Sequence, residues 1–191
     1  MPARDQRSAL RALTALATSQ GGYFTAGQAE EFGYLAPHLS YHAAQGNFER
    51  TGRGIYRLPT IPTGPHDDLM QLWLWSRSAE GTPRGVFSHQ TALSLHDLAQ
   101  DIPSRIHMTV PHGFRKRAPR GCVLHVGLVA SIDRQGFDAI PATTPLRTLR
   151  DLADDASFPT EQFRDAVRSA ARRGLVSARE RTLLLARRVR G

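Results

Sequence analysis

The sequence predicts an α+β protein: a winged helix-turn-helix at the N-terminus, followed by a mixed α/β second domain with a small sheet and C-terminal helices. Three observations carry this. The stretch from Phe24 to Leu58 has the order of two short helices, a glycine stop and a glycine-tipped hairpin. Pro59, Pro62, Gly64 and Pro65 then interrupt any regular element. Beyond them, apolar stripes at helical spacing flank two stretches that alternate like strands.

Each element follows from local chemistry. Leu10, Leu13, Leu16 and Ala17 recur at helical spacing, which predicts a supporting helix from about residue 5 to 18. Thr25 precedes AGQAEEF with Gln28 three positions on, the pattern of a capping box, so a helix starts at Ala26. Gly33 ends it. Pro37 suits a first helical turn, since its missing N–H has no partner there, and Gly46 closes the helix it opens. In that second helix Leu39, Ala43 and Gly46 face inward, which turns His38, Ser40, Tyr41 and Gln45 outward as candidates for reading base edges in a DNA major groove. His42 falls on the packed side. Thr51-Gly52-Arg53-Gly54 between Phe48 and Leu58 makes a tight turn between short strands, the wing. Arg53 at its tip, with Arg50 and Arg57 alongside, suits phosphate contact or minor-groove insertion because guanidinium offers several donors to anionic oxygens. Thr25, at the start of the first helix of the pair, completes the contact candidates.

The proline-rich break sets the expected domains at 1–61 and 62–191. The second opens with an apolar helix carrying Leu69, Leu72, Trp73 and Leu74, and Ser88 can cap the next. Residues 105–111 and 121–130 alternate as strands, joined by a basic hairpin or loop in which Arg115, Lys116, Arg117 and Arg120 are further candidates for phosphate contact. Thr144-Pro145, Thr160 and the Ser177/Glu180 capping box open three closing helices.

The run LSYHAAQGNFERTGRGIYRL, ending in Arg53-Gly54-Ile55-Tyr56-Arg57-Leu58, resembles the N-terminal domain of the AbiEi antitoxin family. FSHQTALSLHDL from Phe87 and IHMTVP from Ile106 are similar to the start of that family's companion domain. The resemblance implies a bacterial regulator that binds double-stranded DNA at promoter inverted repeats and represses its own operon. It also implies an antitoxin of a type IV toxin–antitoxin system, opposing a nucleotidyltransferase-type toxin without a stable complex, with the second domain either supplying the antitoxic function or positioning a second copy on the DNA. The alternatives are a stand-alone winged-helix regulator without a toxin and a nuclease-related DNA-binding protein.

Composition narrows the rest. The formal net charge is +8, but residues 1–60 hold six arginines against four acids, whereas residues 141–191 hold eleven against six. Either the C-terminal region also meets nucleic acid or its arginines line solvated helix faces. A single cysteine, Cys122, suits a reducing cytoplasm, and no apolar run approaches the length of a membrane span. No glycine-rich phosphate loop, HExxH or GxSxG occurs. His38 and His42 have the spacing of paired metal ligands without a third nearby, and a nuclease would need acids clustered with a lysine, whereas the one lysine, Lys116, has its nearest preceding acid at Asp101. The expectation is a cytoplasmic protein that is not an enzyme, with no catalytic residue, metal or cofactor.

Overall fold

The structure, a computed structural model, describes residues 3–99, 101 and 103–190, with the side chains of 3–6, 189 and 190 outside the description. It is mixed α+β, with two sheets carried by two compact units, Met1–Arg84 and Gly85–Gly191.

In the first unit α1 (Ala3–Ser19) is followed by β1 (Tyr23–Thr25), α2 (Ala26–Glu31), α3 (Ala36–Ala44), β2 (Glu49–Gly52), β3 (Ile55–Arg57) and α4 (Asp67–Trp75). The expected cap is present: Thr25 Oγ1 accepts from Gln28 N at 3.1 Å while Gln28 Oε1 accepts from Thr25 N at 2.8 Å. Gly33 at φ 83° and Gly46 at φ 73° end α2 and α3 in the left-handed region that a side chain would strain. The strands order β1-β3-β2, all antiparallel, with Phe24 and Arg50 on either side of Tyr56. Leu13, Ala17, Phe24, Ala29, Leu39, Phe48, Tyr56 and Leu58 form the core.

The boundary expected at residue 61/62 falls instead at 84/85. The prolines do break the chain, but α4 returns to the first sheet: Tyr23 Oη donates to Asp67 Oδ2 at 3.0 Å and Gln71 reaches the same hydroxyl. Burial, reinforced by Asp67, pushes the Tyr23 pKa up to about 12.

The second unit holds β4 (Val86–Phe87), α5 (His89–Leu95), β5 (Ile106–Val110), β6 (Cys122–Val126), β7 (Arg134–Phe137), β8 (Ile140–Thr143), α6 (Pro145–Asp154), α7 (Thr160–Arg172) and α8 (Ala178–Arg190). Its sheet orders β6-β5-β4-β8-β7. Because β5 and β6 are parallel, the basic segment between them is a return loop and not a hairpin. Thr144 and Ser177 cap α6 and α8 as expected, and Leu149, Leu152, Phe163, Val167, Ala170 and Leu184 fill a helical core. Among the described residues no helix is long and apolar enough to cross a membrane.

Candidate nucleic-acid interface

The outward face of α3 is where the sequence placed it. His38, Ser40, Tyr41 and Gln45 are all exposed, Tyr41 to 62%, while Leu39 is sealed into the core at 1%. Local bonds order this face. His38 Nδ1 accepts from Leu35 N at 3.2 Å, and Ser40 Oγ donates to Ala36 O at 3.0 Å. Tyr41 stands edge-on to His42, and His42 packs on Phe48 at 4.8 Å between ring centres. Desolvation, with His38 nearby, lowers the His42 pKa below its ordinary value, as a packed imidazole requires.

The wing is anchored from two sides. Ala26 N donates to Gly54 O at 3.0 Å, and the guanidinium of Arg77 donates to Arg53 O at 3.3 Å and Gly54 O at 3.4 Å. Gly54 has φ +65°, which a side chain would strain, and a Cβ there would stand 2.9 Å from Arg77 Nη2 and displace the tip of that side chain. Arg53 thus projects from a fixed backbone into solvent, with Arg50 exposed beside it. Arg77 is a positioning residue that no helical or strand periodicity could have revealed, since it lies 23 residues beyond the glycine it holds.

Two expected contacts are corrected. Arg57 is 8% exposed, paired with Glu49 at 3.5 Å, bonded to Ile61 O and set over the Tyr23 ring. It sits on the central strand of its sheet, so its guanidinium ties strands together and is closed to DNA. Thr25 is 1% exposed and its hydroxyl is spent on the cap. Thr25→Ala is accordingly expected to cost about 1 kcal/mol of stability while leaving the DNA affinity of folded protein unchanged. Thermal melts and a gel shift on the same sample check both, and a large affinity loss at full folding would contradict the assignment.

In the second unit Arg115, Lys116, Arg117 and Arg120 are exposed on the return loop. Much of the C-terminal arginine surplus is used internally. Arg147 bridges Asp133 and Asp151, and Arg187 pairs with Asp154. Arg188 donates to the carbonyls of Leu152, Asp155 and Phe158, and Arg173 donates to those of His96 and Asp97. Arg190 lies outside the described side chains. Arg150, Arg172, Arg179 and Arg181 remain exposed on helix faces.

The sequence reading missed one buried cluster in this unit. His89 stacks on His125 at 3.5 Å between centres and 9° between planes, and His107 Nδ1 lies 3.0 Å from His125 Nε2. Parallel rings cannot aim their nitrogens at one ion, and among the described residues no group of three or more His, Cys, Asp or Glu is placed to hold a metal.

Comparison with known proteins addresses the same segment. No curated protein matches the chain in sequence. The crystal structure of the RV2827C protein from Mycobacterium tuberculosis is similar at 16% identity and a TM-score of 0.44, over 94% of this chain and 80% of that one. Residues 11–59, which span α2, α3 and the wing, match the family model described as transcriptional regulator, AbiEi antitoxin. That match covers about a quarter of the chain, and what the N-terminal segment is similar to is the AbiEi antitoxin family of transcriptional regulators.

Proposed function

We propose that the chain is a DNA-binding transcriptional repressor whose α3 enters the major groove and whose wing arginines grip the backbone. The observation that carries this is the pairing of an exposed polar face on α3 with a wing whose tip, Arg53, is held by bonds to its own carbonyl and its neighbour's. Tyr41, Gln45, His38 and Ser40 take the base edges, where hydroxyl, amide and imidazole groups can match donor and acceptor patterns. Arg50 and Arg53 take phosphates, and Arg115, Lys116, Arg117 and Arg120 supply further phosphate contacts from the second unit. The similarity of the N-terminal segment to that family supports the finer reading: an antitoxin of a type IV system, repressing its operon through promoter inverted repeats and opposing a nucleotidyltransferase-type toxin without a stable complex. A nucleotidyltransferase-like reading frame directly downstream separates this from a stand-alone regulator.

A gel-shift titration against the chain's own upstream DNA, repeated from low to high salt, is the direct test. Tyr41→Ala is expected to weaken binding to that DNA by about 1–3 kcal/mol and to narrow its margin over a scrambled duplex. Arg53→Ala is expected to weaken both duplexes alike and to reduce the slope of log affinity against log salt by about 1. Wild-type protein that binds the two duplexes equally would sink the proposal.

A further inference from the structure

We propose that β6 is the pairing edge of a two-fold dimer, in which the Cys122–Val126 strands of two copies run antiparallel and join their sheets. The sheet order leaves β6 and β7 as its two edges. On the inner side of β6, Ile106 N donates to Gly121 O at 2.9 Å and Gly127 N donates to Val110 O at 3.0 Å. Those two bonds fix the parity of the strand. Residues 121, 123, 125 and 127 turn their backbone groups toward β5, so Cys122, Leu124 and Val126 turn theirs outward. Cys122 N–H is met by Pro119 O at 3.1 Å. Among the described residues no backbone group faces Leu124 or Val126 from outside.

Open edges are normally blunted by charge, proline or a bulge, because unpaired donors and acceptors recruit other strands. The strand CVLHV carries none of these. The opposite edge does: β7 begins with Arg134, whose guanidinium donates to Val129 O, and continues through Gly136. Beside the bare edge, Val126 is 61% exposed, Leu128 74% and Ile132 87%, three large apolar side chains within seven residues.

The occupant is a second copy because the edge is complementary to itself. The outward-facing residues 122, 124 and 126 are centred on Leu124, so an antiparallel mate places Leu124 opposite its equivalent and Cys122, whose N–H is already met by Pro119 O, opposite Val126 of the other copy. Charge selects the same arrangement. The loop bearing Arg115, Lys116, Arg117 and Arg120 enters β6 directly. Antiparallel pairing sets the two loops at opposite ends of a strand about 17 Å long, roughly twice the Debye length in physiological salt, whereas parallel pairing would crowd them together.

Light scattering and sedimentation of the full chain without DNA test the pairing. Wild-type protein is expected at twice the monomer mass at high concentration. Val126→Lys with Leu128→Glu, both at exposed positions, is expected to raise the dimer dissociation constant about tenfold or more with an unchanged circular dichroism spectrum. Val126→Cys reads the register. Cys122 and residue 126 of one strand are too far apart to bridge, but across the two-fold their Cα atoms stand within disulfide range, so mild oxidation is expected to give a covalent dimer. A monomeric wild type at every concentration, or a dimer that ignores the two charges and does not cross-link through Val126→Cys, overturns the proposal.

Discussion

Phe24→Ala is expected to unfold the N-terminal unit at moderate denaturant, with a loss of about 3–5 kcal/mol. Phe24 has no exposed surface. Its ring meets Phe48 edge-on at 5.1 Å and stacks on Tyr56 at 5.8 Å, while its backbone pairs with Tyr56 in the sheet. Truncation removes the transfer energy of a whole phenyl ring and also leaves a cavity bounded by a strand and a helix, neither of which can collapse freely. Amide exchange over residues 8–58 in the full chain measures it, because that signal separates this unit from the other. A loss under about 1 kcal/mol would show that the core does not depend on the Phe24 ring. The contrast is Tyr41→Ala: at 62% exposure it should leave stability within about 0.5 kcal/mol, so a defect in DNA binding there reports the interface and not the fold.

The exposure of Tyr41 was visible in the sequence, because helical spacing assigns Leu39 inward and Tyr41 outward once Pro37 and Gly46 bracket α3. Signals confined to one turn were legible in the same way: the Thr25/Gln28 box, the left-handed glycines, the Thr144-Pro145 start. What depended on partners elsewhere was not. β1 is three residues long and ends in a cap, so nothing marked it as a strand; without it, β3 passed for an edge and Arg57 for a free wing contact. The helix α4 carries a clear apolar stripe, yet a stripe does not say which unit it will cover. The pair β7 and β8 contains Gly136 and Pro141, both poor strand formers, and only the hairpin register makes it a sheet. Whether β5 and β6 run parallel or antiparallel decided between a loop and a hairpin at 113–121, and alternation is the same for both.

That register also created the histidine cluster. His107 pairs with Val123 and Thr109 with His125, so the two imidazoles are diagonal neighbours on one face, a relation fixed by a parallel offset that no local pattern encodes. His89 reaches them from the start of α5, held at φ 51°, a left-handed conformation that is costly for a non-glycine residue.

Acidification is expected to destabilise the second unit through this cluster. Burial, with His125 and His107 adding like charge on protonation, pushes the His89 pKa down to about 3, and burial lowers His107 and His125 as well. The groups facing them are opposed in sign: Asp155 and Asp151 favour the charged imidazoles, Arg147 and Arg105 disfavour them. Since the folded values lie below the unfolded one, the unfolded chain binds more protons. The stabilisation is therefore complete above about pH 6.5 and drains away as pH falls from there toward 3. For His89 alone this amounts to a loss on the order of 3 kcal/mol by pH 4. Carboxylates titrating in the same range add their own slope, so the comparison is with His89→Asn. Asparagine tolerates the left-handed backbone, keeps a polar group beside Ser88 and carries no titrating charge. Melting followed between pH 7.5 and 4 should show a markedly shallower fall for that variant than for wild type. Superimposable pH profiles would mean that the stack admits a proton without cost, and that Asp155 and Asp151 compensate fully for the burial of three rings.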